Sequence, residues 1–371
     1  MIYLDYSATT PPSKKVLDNY LEFNEKHFAN PNSTHELGIL VKEEIEKSTK
    51  EIYKLLGAEN YEAIYTSGAT EANNLALKGY AFANAFKGKH IITSPYEHSS
   101  VTTCLNYLSD KGFIIDVLDV DDFGLVDINE LESLINEDTI LVSIALVNSE
   151  LGILQDFEAI KKVLKKHKNV AFHSDLTQAI GKLNVDLSGI DLATFSGHKI
   201  YGLKGIGALL RKRHIHLEPV IHGGKSTSIF RGGTPPAPLI NSLSTALKEA
   251  YNDFPNKLSH IEYINKYLRE SLSEIKNTHI NYESGIPQIL NVSFLDIEAS
   301  KLHELLSEKG IYVSTQTACN SESSFSLTVK KLTNSDELAK TSIRISLSHL
   351  TKKEEIDLLI KTIKEILHEN H

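Results

Sequence analysis

The chain has 371 residues, 41% of them hydrophobic and 23% charged, and a formal net charge of −9. That size and balance suit a globular protein with a substantial core, built as one large domain and a smaller one or as two of similar size. The acidic balance excludes nucleic acid as a main partner, because phosphate binding relies on clustered Lys and Arg, and the basic run LRKRHIH at 210–216 is short and isolated. No apolar run approaches the ~20 residues of a membrane span. The two cysteines, Cys104 and Cys319, make no disulfide framework. The opening MIYLDYSATT lacks the charged start and apolar core of a signal peptide, so a cytoplasmic location is expected.

Taken in chain order, short apolar runs alternate with helical periods from about Tyr61 to Lys212. Strands are predicted at 62–67, 89–95, 112–120, 139–148, 169–175, 191–196 and 205–211, with helices at 70–86 and 156–167 among them. This is the pattern of an α/β protein with a mainly parallel sheet flanked by helices. From about Leu239 the sequence predicts a long amphipathic helix, then strands at 287–296, 310–314 and 341–348 and a final helix at 352–370. The final helix reads as a packed terminal helix, with a partner-docking helix as the alternative. A large domain over 15–250 and a smaller α+β domain made of 1–14 and 251–371 are expected, the N-terminal segment folding back.

Ligands of open α/β sheets sit beyond the carboxyl ends of the strands. There the sequence places the turn Ser67, Gly68, Ala69 and Thr70, then His98, Asn148, Asp175 with Gln178, and finally Ser196, His198 and Lys199. A cofactor with an aldehyde, a pyridine nitrogen and a phosphate would use such a set, and no metal is needed. Lysine forms a Schiff base with the aldehyde, aspartate pairs with the pyridinium nitrogen, and the helix-opening turn takes the phosphate. His98 would stack on the ring, Gln178 and Asn148 would meet its phenolic oxygen, and Ser196 and His198 would add phosphate contacts. Each residue has a plainer reading: Asp175 as a helix cap, His98 as a structural histidine, SGAT as an ordinary turn, and Lys199 as a solvated loop lysine. The glycines of FSGHKIYGLKGIGALL, 195–210, are expected to let the chain pass close to the cofactor.

Motifs along nearly the whole chain carry a family resemblance: YLDYSATTP from Tyr3, NPNSTHELG from Asn30, YTSGATEANNLALKG from Tyr65, EHSSV from Glu97, VNSELG from Val147, SDLTQAIGK from Ser174, FSGHKIYGLKGIGAL from Phe195, HGG from His222, TAC from Thr317 and SIRISL from Ser342. The chain resembles the NifS and IscS-like cysteine desulfurases of the class V, fold type I enzymes that use pyridoxal 5'-phosphate. The resemblance implies that Lys199 carries the cofactor, Asp175 pairs with its pyridinium, and Thr70, Ser196 and His198 hold its phosphate. It further implies a homodimer in which Thr234 reaches the neighbouring subunit's cofactor, and substrate binding by Asn32 and Arg344, the latter gripping the carboxylate of L-cysteine as a bidentate fork. Cys319 would be the nucleophile that accepts sulfur as a persulfide and passes it to a sulfur-acceptor protein of iron–sulfur cluster assembly or thiolation.

Cys319 lies in the polar, serine-rich stretch 314–340, which reads as a long loop spanning about 316–340, whereas Cys104 sits in a helix-like apolar setting. The chain departs from the family at Thr227, Ser228 and Ile229, where a charged triplet is usual, at Gln316 and Thr317 before the cysteine, and at Leu176 in place of a small residue. Two alternatives share the cofactor residues. One is a class V aminotransferase or a lyase for selenocysteine or another small amino acid. The other is a weakly active desulfurase-like protein that binds a partner.

Overall fold

The computed structural model describes residues 1–224, 227–315 and 325–369. Its strands are β1 (Ile2–Tyr3), β2 (Tyr61–Thr66), β3 (His90–Thr93), β4 (Ile114–Val117), β5 (Thr139–Ser143), β6 (Ala171–Asp175), β7 (Leu192–Ser196), β8 (Gly207–Lys212), β9 (Thr278–Ile280), β10 (Ile289–Phe294), β11 (Ile311–Tyr312) and β12 (Ser342–Ser346). Seven of them form the large sheet in the order β2-β8-β7-β6-β5-β3-β4. Adjacent residues on one strand face opposite sides, so Leu141, Ala171, Leu192 and Leu209 join one apolar cluster while Val142, Phe172, Ala193 and Leu210 join the other. Both faces are therefore covered, which is why β5, β6 and β7 read as continuous buried runs.

The sheet is parallel except at β8, which runs antiparallel to both β2 and β7. A parallel crossover needs a dozen or more residues, and the link from Gly197 to Ile206 is too short for one. With both its neighbours opposed to β8, β2 points the same way as β7. The carboxyl ends of β2, β3, β5, β6 and β7 consequently share one edge.

The second sheet, β12-β10-β9, is antiparallel. Leu290, Val292, Ile343 and Ile345 from it pack with Ile356, Leu359 and Ile363 of the last helix, Lys353–Glu369. The N-terminal segment joins this unit: β1 pairs with β11 in parallel and Asp5 bridges to Ser346.

Two sequence expectations need correction. The helix from Leu239 is two helices, Ala237–Tyr251 and Phe254–Ser273, broken where Asp253 adopts a φ of 56° just before Pro255. Of the loop expected over 316–340, residues 316–324 lie outside the described residues, and the rest holds helices Leu327–Thr333 and Asp336–Thr341. Ser326 and Ser335 cap them, and Val329 and Ala339 pack on Tyr96, Leu151 and Ile153. Each helix is too short to show a period in a serine-rich stretch.

Some of the glycines around Lys199 also serve a purpose beyond the one expected. A Cβ on Gly207 would lie 2.7 Å from the Gly68 Cα and 2.7 Å from the Phe195 carbonyl oxygen, and one on Gly202 would lie 2.6 Å from the Gly197 carbonyl. These glycines let backbone meet backbone, seating the turn at Gly68 directly against β8. We expect Gly207→Ala to destabilise the protein by about 1–3 kcal/mol in urea denaturation. A change within error would mean that the two segments are not in contact.

Candidate active site

One cavity of about 610 Å³ opens at the shared edge of the large sheet. Of the residues singled out from the sequence, Ala69, Thr70, His98, Asp175, Gln178, Ser196, His198, Lys199 and Arg344 line it. Three others do not. Asn148 is buried, but its Oδ1 accepts the Glu150 and Leu151 amides and its Nδ2 donates to the Tyr96 carbonyl, so the side chain is occupied in shaping a turn. Asn32 and Thr234 are exposed and lie outside the lining. Cys319, Gln316 and Thr317 lie outside the described residues.

Asp175 ends β6 and is buried. Its Oδ1 accepts the Thr177 amide at 2.9 Å, the turn bond that the capping reading foresaw, and its Oδ2 accepts Asn73 Nδ2 at 2.8 Å. Asn73, fully buried on the helix that begins at Ala69, also donates to Ser100 Oγ at 2.8 Å. Ser100 in turn meets His98: its amide donates to Nδ1 at 3.1 Å, and its hydroxyl lies 2.8 Å from the same nitrogen. With Nδ1 an acceptor, a neutral His98 carries its proton on Nε2. Burial lowers the His98 pKa; Asp175 partly opposes that and Lys199 adds to it, so the ring is neutral at neutral pH. His98 is thus both the cap of helix Ser99–Asp110 and a wall of the cavity.

Lys199 follows β7, and its Nζ donates to the carbonyls of Ser7 at 2.6 Å and Ala8 at 2.7 Å. His198 beside it lies 3.1 Å from Thr9 Oγ1, and burial together with Lys199 lowers its pKa to about 4. Arg344, on β12, is fully buried. Its guanidinium donates to Asp5 Oδ1 at 2.7 Å and to the Ser149 carbonyl at 2.9 Å. The turn after β2 is tied by Glu71, which accepts the Ser67 amide at 2.8 Å and Arg231 Nε at 2.9 Å. Of the departures, Ser228 donates to Glu62 Oε1 on the edge strand at 3.0 Å, Ile229 is exposed, and Leu176 is fully buried.

The hydroxyls of Ser7, Thr177 and Ser196 are buried at or beside the cavity without a partner among the described residues. Buried polar groups are ordinarily hydrogen-bonded, so these suit a ligand rich in acceptors. Sequence reasoning missed Asn73, Asp5, Thr177 and the carbonyls of Ser7 and Ala8. All stand inside motifs that were noticed, yet only folding brings them to the cavity.

Glu97 was also missed. Its Oε1 accepts Ser94 Oγ and the Ala145 amide, and burial raises its pKa to about 8. In the unfolded chain it titrates near the ordinary value, so between about pH 4.5 and 8 the folded state holds a proton that the unfolded state has lost. This stabilisation is fully present at low pH and is lost as pH rises. Glu97→Gln, which keeps a neutral group, should therefore gain stability relative to the parent as pH is raised from 5 to 8.5 in denaturant titrations. A constant difference would show that Glu97 is ionised in the folded protein.

A helix-covered, mainly parallel sheet with a lysine, an aspartate and a helix-opening turn at one edge defines a fold type I enzyme. The aminotransferase class-V family model matches residues 2–359, and the chain belongs to that family. Among curated relatives, cysteine desulfurase IscS of Pectobacterium carotovorum subsp. carotovorum (strain PC1) is 41% identical over 98% of this chain and 92% of its own. Cysteine desulfurase IscS of Buchnera aphidicola subsp. Schizaphis graminum (strain Sg) is 40% identical over 99% and 93%. Among solved structures, a NifS-like protein superposes with a TM-score of 0.93 at 35% identity over 99% of both chains. SspA in complex with cysteine gives 0.83 at 32% identity, over 95% of this chain and 100% of that one.

Proposed function

We propose that the protein is a cysteine desulfurase that uses pyridoxal 5'-phosphate to convert L-cysteine to L-alanine and hands the sulfur to an acceptor protein. The convergence of Lys199, Asp175, the turn at Ala69 and Thr70, and Arg344 on one cavity carries this reading. Cysteine desulfurases of this family depend on that cofactor in general. Lys199 fits its aldehyde, Asp175 its pyridinium nitrogen, and Ala69, Thr70, Ser196 and His198 its phosphate. His98 would flank the ring, with Gln178 toward the phenolic oxygen; Asn148, expected there too, is held in its own turn. When bound, the cofactor draws electrons from the substrate's Cα and so makes the proton there acidic.

The chain's own residues supply the rest. Arg344 holds the substrate carboxylate, and Asp5 holds Arg344. Lys199 takes the Cα proton as general base. His98 or the cationic setting of the cavity would promote deprotonation of the Cys319 thiol or accept its proton. The Cys319 thiolate attacks the substrate sulfur: an S–S bond forms, the Cβ–S bond breaks, and its electron pair stays with the carbon skeleton, which is protonated and leaves as alanine.

Asn32 and Thr234, exposed and outside this chain's cavity, are accessible to a second copy, in keeping with a homodimer whose Thr234 reaches the neighbouring site. We assign residues 15–250 to the cofactor domain and 1–14 with 251–371 to the smaller one. A cytoplasmic setting with iron–sulfur assembly or thiolation enzymes as acceptors completes the reading. Among the described residues no helix is long and apolar enough to cross a membrane.

The test is alanine and sulfide release from cysteine in the presence of a thiol reductant. The parent should yield the two in equal amounts. Cys319→Ala should keep the cofactor's absorbance and lose turnover by about a hundredfold or more, while Lys199→Ala should lose the covalent absorbance. An active Cys319→Ala would exclude Cys319 as the nucleophile.

A further inference from the structure

Behind the cavity wall, Lys182 has no role in the chemistry described above. The residue is half-buried, and its ammonium donates to Gln178 Oε1. It lines a small second cavity, of about 40 Å³, that shares Ser7 and Lys199 with the main one. The charged groups acting on it are cationic: Lys199 and Arg344 both disfavour its protonation, and Lys182 does the same to His198. Lys257 and His349, whose pKa burial lowers to about 4, line the same small cavity, and among the described residues no carboxylate does. Burial, reinforced by Lys199 and Arg344, lowers the Lys182 pKa to about 7, so Lys182 holds its proton below that pH, and an anionic cofactor in the adjoining cavity would favour the charged form further.

The local fold directs it there. Gly181 has a φ of 75°, and its Cβ would lie 2.6 Å from Ile200 Cγ2, so the chain reverses tightly against the residue next to Lys199. The Lys182 carbonyl accepts Gln288 Nε2 at 3.0 Å, which ties it to the start of the strand paired with that of Arg344. On the other side of Gln178, Nε2 donates to the Ser7 carbonyl at 2.9 Å. The two ends of the carboxamide are thereby distinguished. Reversing it would set its NH₂ against an ammonium and its oxygen against a carbonyl, two repulsive pairs in a buried site.

We propose that Lys182 is a positioning residue of this site: by gripping Gln178 Oε1 from behind the wall, its ammonium fixes the Gln178 carboxamide with the NH₂ end available to the cofactor. That NH₂ has one hydrogen on Ser7 and a second for an anionic acceptor such as the cofactor's phenolic oxygen. The inference rests on the cofactor reading above. A donor to that oxygen, and a positive charge close to the nitrogen of Lys199, both lower the proton affinity of the Schiff base linking lysine and cofactor.

The test is a pH titration of the visible absorbance of the purified holoenzyme, with cofactor affinity measured alongside. Lys182→Met should raise the midpoint by about one pH unit and Lys182→Arg should restore it. Gln178→Leu should raise it too, and Lys182→Met should then add less than half of its single effect. If Lys182→Met does not fold, Lys182→Gln serves instead, because a carboxamide can donate or accept and cannot enforce one orientation. A midpoint unchanged in Lys182→Met or Lys182→Gln overturns the proposal, as does a full additional shift in the Gln178→Leu background. Absence of cofactor absorbance in the parent would instead overturn the reading on which the inference rests.

Discussion

The segment from Asp5 to Thr10 is the constraint on which the site depends. It has no regular structure of its own beyond bridging contacts, yet it touches nearly every group that does chemistry. Asp5 takes the Arg344 guanidinium, Ser7 and Ala8 take the Lys199 ammonium, and Ser7 also takes the Gln178 amide. Thr10 donates its amide and its hydroxyl to the His198 carbonyl, both at 2.9 Å, and accepts the Tyr201 amide at 2.7 Å. Tyr201 itself has a φ of 62°, an uncommon conformation for a residue with a side chain. The pairing of β1 with β11 fixes where this segment starts, so the smaller sheet sets the geometry of a lysine on the larger one.

That arrangement places positive charge where an anionic cofactor and an amino acid carboxylate would lie. Lys199, Lys204 and Arg344 line the cavity with Asp175 as the carboxylate among them, although the chain as a whole carries a net charge of −9. The histidines contribute no charge at neutral pH, because His98 and His198 are both held below their ordinary range by burial. Hydrogen bonding organises the opposite side: His98, Ser100, Asn73 and Asp175 form one buried chain that links a ring wall to the carboxylate beyond β6. Fully satisfied networks of this kind rigidify a site, since every unpaired member would be costly to bury.

The fold was legible because buried parallel strands leave continuous apolar runs, and the site because five strand ends carried polar groups that loops do not need. Lys199 and Asp175 could be placed from such local patterns. Asn148 could not, because its turn bonds to the Glu150 and Leu151 amides depend on how the chain bends after β5. The glycines near Lys199 were recognised as necessary, but the sequence did not show that Gly207 and Gly202 meet the backbone at Gly68 and Gly197. Lys182 and Asp5 were not singled out, since nothing local reveals that Gln178 and Arg344 stand beside them.

By itself, then, the sequence determined the strands of the large sheet, the edge at which the polar groups gather and the family whose motifs they form, because all three are written in local periodicity and short spacing. Tertiary structure decided which carbonyls hold Lys199, which amide end of Gln178 faces the cavity and which carboxylate steadies Arg344. Those partners are separated by up to hundreds of positions in the chain and meet only when two hydrophobic cores have closed around the segment that joins them.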